Sequence, residues 1–217
     1  MGAHLCVAIR LGIVRGMVTA WLTIAASPAQ GQVIDFIRQF GTSSTDMAHS
    51  VAIDATGIYV VGLTFGTLPG QLNNGGGDAY VRKYDKCGNV LWTRQFGTDG
   101  FDEALDVAVH AFLDQVAVVG RTTRTLGFFP PNPEPGTFDG FLRTYNSSGG
   151  LAITCQLAHP GESQVHAVAN SFGPHFIVAH QGMFGVVSSG TDVELKRVEL
   201  GFPCELNFHG EPHGIGT

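Results

Sequence analysis

Apolar and polar positions alternate in short runs along most of this chain. Val51-Ala-Ile-Asp54, Ile58-Tyr-Val-Val-Gly62, Ala79-Tyr-Val-Arg-Lys-Tyr84 and Val90-Leu-Trp-Thr-Arg-Gln-Phe96 follow one another, separated by Gly-, Asn- and Asp-bearing segments such as Ala55-Thr-Gly57 and Asp85-Lys-Cys-Gly-Asn89. Runs of this length, rich in β-branched and aromatic residues and bounded by turn formers, predict four strands, A to D. In strand C a period of two puts Tyr80, Arg82 and Tyr84 on one face and Val81 on the other. No stretch after residue 32 sustains the 3.6-residue rhythm of a helix.

The four-strand pattern recurs. Ile37-Arg-Gln-Phe-Gly-Thr42 returns as Thr93-Arg-Gln-Phe-Gly-Thr98, 56 residues on, and Asp46–Asp54 returns as Asp102–His110 at the same offset. Glu162–Asn170 is a faded third copy, sixty residues further. Asp78-Ala-Tyr-Val-Arg-Lys-Tyr84 recurs as Asp139-Gly-Phe-Leu-Arg-Thr-Tyr145 and weakly as Asp192–Val198, at gaps of 61 and 53 that confine length changes to one loop. Four antiparallel strands in a unit of this size are the grammar of a β-propeller blade. The expected fold is all-β, with propeller-like blades over 32–217 in approximate units 36–91, 92–153 and 154–208. That is roughly three and a third units, where a closed ring needs at least about four. The ring is therefore expected to be incomplete, as a fragment of a longer propeller or as an arc closed by self-association.

These residues resemble the SBBP-type β-propeller repeat of secreted and surface bacterial proteins. Its pattern is matched by Val51, Ala52, Asp54, Gly57, Tyr59, Val60 and Gly62, then by Asp78, Ala79, Val81, Lys83, Tyr84, Asp85, Gly88 and Asn89, and by Trp92, Gln95, Phe96, Gly97 and Thr98. Departures follow: His110 for the turn Asp, Asn146 for Asp85, Thr154, Leu157 and Ala158 in the W-x-x-Q-F-G motif, and His180 for Gly62. The resemblance implies a fold and an exported setting, and no established catalytic residues.

The N-terminus agrees with export. Arg10 and Arg15 precede an uncharged apolar run from Met17 to Ala26, and Ser27 and Ala29 have the spacing a signal peptidase accepts. Residues 1–31 are expected to be a signal peptide cut after Ala29 or Gly31. The alternative is an uncleaved anchor, against which stands the polar Ser-Pro-Ala-Gln-Gly-Gln stretch. Localisation is then secreted, extracellular or in the cell envelope, periplasm included, with no membrane association after cleavage. Cys87, Cys155 and Cys204 remain, which allows one bridge and a spare thiol, or no bridge.

Composition narrows the classes. With 12 Lys and Arg against 18 Asp and Glu, and a net charge of −6, nucleic acid is not an expected partner. An unknown protein or carbohydrate is. Strand alternation puts the B–C and D–A connections on one rim. The B–C connections, Leu63–Gly77, Arg121–Gly136 and Gln181–Gly190, are long, and long loops on a rigid scaffold are where binding concentrates. Phe128 and Phe129, in the proline-rich Leu126–Gly136 segment, are either an aromatic anchor for a sugar or peptide, or a plug folded back on the blade. Asp46, Asp102 and Glu162 share one slot, and repetition favours a structural acceptor holding the D–A turn. Asp99 and Asp102 head an acidic cluster with Glu103 and Asp106, readable as a Ca²⁺ or ligand site or as a solvated loop. His209 and His213 have a ligand spacing in a Gly/Pro-flanked tail, without a zinc motif. No other cofactor or metal and no catalytic residue is assigned. The expected function is a secreted non-catalytic propeller repeat protein that binds or scaffolds at the cell surface. The alternatives are an exported hydrolase or lyase with its site on the long-loop rim, and a remnant without independent function.

Overall fold

A computed structural model describes residues 7–14, 17–24, 36–127, 136–157, 162–170, 175–182 and 192–199. The chain divides into two units, residues 1–37 and 38–217. In the first, β1 (Val7–Val14) pairs antiparallel with β2 (Met17–Ile24), so part of the stretch read as a signal peptide is a hairpin of apolar strands.

The second unit contains three sheets among its described residues. Sheet one runs β3 (Asp46–Ile53), β4 (Ile58–Thr64), β5 (Asp78–Tyr84) and β6 (Val90–Phe96), in that spatial order and antiparallel throughout. Sheet two repeats this with β7 (Asp102–His110), β8 (Gln115–Thr122), β9 (Asp139–Tyr145) and β10 (Leu151–Leu157). Sheet three has β11 (Ser163–Asn170), β12 (His175–Gly182) and β13 (Asp192–Glu199). The all-β reading holds, with strands in the A-B-C-D order of a propeller blade. The helical content of the described residues is one 3-10 turn, Ala111–Leu113, where His110 has replaced the turn Asp.

Motif recurrence leaves the phase of a repeat open, and hydrogen bonding sets it. Trp92–Phe96, which opens the second sequence unit, is the outer strand of sheet one. Strand A is longer than its apolar core suggests, and carries a bulge at equivalent places in all three sheets: Ala48/Ser50, Ala104/Asp106 and Val165/Ala167. The register also corrects one motif position. Ile153 pairs with Thr144 as Trp92 pairs with Lys83, so Ile153, rather than Thr154, stands in the tryptophan's place.

The sheets pack face to face. Between sheets one and two lie Tyr59, Val61, Val81 and Phe96 from the first and Val107, Val116, Val118, Phe141 and Tyr145 from the second. Between two and three lie Ala117, Val119, Leu142 and Cys155 with Val165, Val168, Phe176 and Val178. Burying a Val, Leu or Phe side chain contributes about 1.5–3 kcal/mol, so these two seams hold the stack together. Cys155 is disulfide-bonded, and Cys87, in the C–D turn of sheet one, is a free exposed thiol.

Candidate functional site

The rim with the long connections is built on a polar clamp that occurs twice. In sheet one, Gln95 reaches from strand D under the B–C loop. Its Nε2 donates to the Gly66 carbonyl at 2.8 Å and to Asp78 Oδ2 at 2.8 Å, and its Oε1 accepts the Leu68 amide at 2.9 Å. In sheet two, Gln156 Nε2 donates to the Arg124 carbonyl at 3.1 Å and to Asp139 Oδ2 at 2.9 Å, and Oε1 accepts the Leu126 amide at 2.7 Å. Thr64 and Thr122, at the ends of their B strands, accept the Gly66 and Arg124 amides at 3.1 and 3.2 Å. Asp78, Asp139, Leu68 and Leu126 are all buried. The first four residues of each loop are therefore held alike, and 69–77 and 127–138 are the stretches of sequence left between the clamp and strand C.

The D–A turn is held by the recurring acid. Asp46 Oδ2 accepts the Thr42 amide at 2.6 Å and its hydroxyl at 3.0 Å, while Oδ1 accepts the Thr64 hydroxyl at 2.6 Å. Asp102 Oδ2 accepts the Thr98 amide at 2.6 Å and its hydroxyl at 2.8 Å. The role of structural acceptor expected of this slot is thus seen at Asp46 and Asp102, whereas in sheet three the register puts Ser163, rather than the exposed Glu162, in this place, and its Oγ accepts the Gly140 amide at 3.0 Å. Burial pushes both carboxyls up. At half-buried Asp46 the hydrogen bonds from Thr64 and Thr42 outweigh it and hold the group below its ordinary value. At Asp102, fully buried, burial prevails over hydrogen bonds from Thr122 and Thr98, the charge of Asp78 adds to the rise, and the group lies above its ordinary value. Gly97 passes between these two acids: a Cβ there would run into Asp78 Oδ1 and lie 2.8 Å from Asp102 Oδ2.

The B–C loop and the following D–A turn also join, through Gly76 N–H to the Gly100 carbonyl at 3.0 Å and Asp102 N–H to the Gly77 carbonyl at 2.8 Å. They form one continuous rim, as strand alternation requires.

The acidic cluster read from the sequence does not converge. Asp99 is at the tip, its side chain 80% exposed and 3.7 Å from Arg124 Nε. Asp102 points inward to Thr98. Glu103 pairs with Arg121 Nη2 at 2.7 Å and with His49 at 2.9 Å. Asp106 accepts the Ser50 hydroxyl at 2.5 Å and the Val168 amide at 2.9 Å. Among the described residues no group of three or more His, Cys, Asp or Glu is gathered to hold a metal ion. Phe128, Phe129, His209 and His213 lie outside the described residues.

The opposite rim carries tight turns that cross between sheets. Trp92 Nε1 and Lys83 Nζ each donate to the Ser147 carbonyl at 2.9 Å, and Arg94 Nε donates to the Gly149 carbonyl at 2.8 Å, so sheet one grips the C–D turn of sheet two. Asn146 does the work of Asp85 there. Its Oδ1 accepts the Ser148 and Gly150 amides at 3.1 and 2.7 Å, as Asp85 Oδ1 accepts those of Cys87 and Asn89 at 2.9 and 2.8 Å. The residues that sequence reasoning left without a role are Gln95 and Gln156. The signal was present, because Gln156 survives where the tryptophan, phenylalanine and glycine around it have changed.

No protein-family model matches the chain. Over 89 residues it is 33% identical to an uncharacterized WD repeat-containing protein of Acanthamoeba polyphaga mimivirus, a match covering 37% of this chain and 6% of that protein. The chain thus spans a small part of the length of that relative. The similarity accords with the sheets: this is an all-β protein of propeller-like, four-stranded repeats.

Proposed function

We propose that this chain is an exported, non-catalytic propeller repeat protein of the SBBP type, binding a protein or carbohydrate at the cell surface or outside the cell through its long-loop rim. One observation carries the reading. The same Gln–Asp–Thr clamp fixes the base of both B–C loops, so the sequences beyond it, 69–77 and 127–138, differ in length and composition while the scaffold stays constant, the arrangement that suits variable binding loops. Phe128 and Phe129 belong to the second of these loops, and Asp99 with Arg124 supplies charge beside it. The basic start, apolar run and Ser27/Ala29 spacing support export.

The test is a binding screen of the chain against arrayed glycans and peptides, repeated with Phe128→Ser and Phe129→Ser. Loss of the selected ligand by at least about tenfold, with unchanged circular dichroism, supports the reading; each tenfold is about 1.4 kcal/mol. Mass spectrometry of the secreted product is expected to find a mature terminus after Ala29 or Gly31. Retention of the intact chain in the cytosol removes the exported part. Turnover of a polysaccharide that disappears in Asp99→Asn replaces the binding reading with the hydrolase or lyase.

A further inference from the structure

The flank of sheet one that faces away from sheet two is half of a sheet–sheet seam. Its register pairs are Val51 with Val60 and Ile53 with Ile58. The equivalent pairs in sheet two, Val107 with Val118 and Val109 with Val116, are packed against sheet one, with Val107, Val116 and Val118 buried. On sheet one Val51 is 58% and Ile53 66% exposed, and Ile58 and Val60 are half-buried.

The outer part of that seam is already in place. Residues 38–42 lie on sheet one as 94–98 lie on sheet two. Arg38 Nε donates to the Gly88 carbonyl at 2.7 Å, as Arg94 Nε does to Gly149 at 2.8 Å. Phe40 meets Tyr80 edge-on at 5.5 Å, as Phe96 meets Phe141 at 5.7 Å. The Arg82 guanidinium stands 4.5 Å over the Phe40 ring, and that of Arg143 stands 4.4 Å over Phe96. Val51 and Ile53, with Ile58 and Val60 beside them, thus continue an interface whose geometry is defined one sheet further on. What covers them there is the face of a neighbouring sheet, bearing Ala52 and Tyr59 at one register pair.

The chain carries such a face at the other end of the stack. In sheet three Val165, Val168, Phe176 and Val178 are turned to sheet two. On the other side, Ala169 pairs with Ile177, the position that Ala52 and Tyr59 hold in sheet one, and both are exposed, Ile177 by 37%. We propose that a second copy of this chain covers sheet one: the Val51/Ile53/Ile58/Val60 flank of one copy docks on the Ala169/Ile177 flank of the other. The contact is heterologous, and with two copies it closes on itself. The pair then brings together six described sheets, within the range of about four to eight blades of closed propellers. The proposal concerns the flanks, not the rim loops.

Sedimentation of the chain at about 50 µM, well above a micromolar dissociation constant, is expected to show a dimer. Ile53→Lys and Ile177→Glu replace exposed side chains, so each variant is expected to keep the far-UV circular dichroism of the wild type, while its urea midpoint loses only the part that association adds. Each is expected to weaken association by at least about 100-fold, because a charge is left unpaired in an apolar seam. An equimolar mixture of the two variants regains the dimer, since one seam is then native and the other pairs Lys with Glu. Any of four results overturns the proposal: a monomeric wild type, filaments in place of dimers, a dimer that survives both substitutions, or a mixture that stays monomeric. Rim-ligand binding, measured on the same variants, is expected to be unchanged, so failure here is distinguishable from failure of the binding reading.

Discussion

Replacing Gln95 by alanine removes three hydrogen bonds from one half-buried side chain, to Gly66, Leu68 and Asp78. A neutral hydrogen bond contributes about 1 kcal/mol net and one to a charged group about 1.5–3, so the gross loss is about 4 kcal/mol. Water entering the space returns part of it, leaving about 3 kcal/mol. With a urea slope of about 2 kcal/mol per molar, the unfolding midpoint falls by about 1.5 M. Hydrogen exchange locates the effect. The Leu68 amide, whose acceptor is Gln95 Oε1, loses protection by at least about tenfold, while Leu126, held by Gln156, keeps it. Gln95→Glu separates the loss of donors from the loss of packing. It keeps the shape but sets a second carboxylate against Asp78, so it is at least as damaging as alanine at neutral pH. The repulsion between the two carboxylates is full at neutral pH and is relieved as pH falls below about 4, where only the loss of one of the two donated hydrogen bonds remains. A loss under about 1 kcal/mol with Leu68 still protected, or a Gln95→Glu variant indifferent to pH, refutes the clamp.

The recurring acids predict opposite pH slopes. Asp46 is held below its ordinary value, so its contribution is present above about pH 4 and is lost as pH falls through the lowered value; Asp46→Asn costs more at neutral pH than near pH 3. Asp102 is raised, so its ionisation destabilises the fold as pH climbs from about 4 through the raised value; Asp102→Asn costs less at neutral pH than near pH 3. Urea titrations at the two pH values check both, and slopes of the same sign would contradict the assignment. Gly97→Ala drives a methyl into Asp78 Oδ1 and toward Asp102 and is expected to cost about 2–4 kcal/mol. Gly70→Ala, with no atom within 4 Å of the new methyl and φ +74°, costs about 1 kcal/mol from backbone strain alone. Equal midpoints for the two glycine variants would count against the packing argument.

The strands were legible because each residue type states its own preference: Ile58–Val61 and Ala79–Tyr84 are β-formers between turn formers, and their recurrence identifies the repeat. The Asp46/Asp102 role was legible for a related reason, since a slot filled alike in successive units serves the unit. The acidic cluster was misleading because proximity along a strand is not proximity in space. Asp102, Glu103 and Asp106 leave a bulged strand in different directions, to Thr98, Arg121 and Ser50. The Gln95–Asp78 contact was hidden because its partners sit on adjacent strands and join only through register. Gly97 makes the same point: the sequence marks it as recurrent, but the two carboxylates it separates come from different strands.

The clamp explains how the repeat tolerates unequal loops. Its contacts fall at the same steps after strand B in both sheets, Gly66 and Leu68 after Thr64, Arg124 and Leu126 after Thr122, and again at the first residue of strand C, Asp78 or Asp139. Chain added between those points does not disturb the strands, because loop-closure entropy grows only as the logarithm of length. Chain added before Leu68 or Leu126 would pull an amide and a carbonyl out of reach of the glutamine. Length variation is thus confined to 69–77 and 127–138, where a ligand would meet it. The flanks have no such freedom, since Val107 and Val118 must fit Tyr59 and Val61 across a close-packed seam. Gln71, whose Oε1 accepts the Gln95 amide at 3.0 Å, still belongs to the held base, so a Gly-Ser pair inserted after the exposed Leu72 should leave the unfolding free energy within about 0.5 kcal/mol of wild type, whereas the same pair after Thr64 should cost as much as losing Gln95. Equal effects at the two sites would show that the loop is held along its whole length and that its base has no special standing.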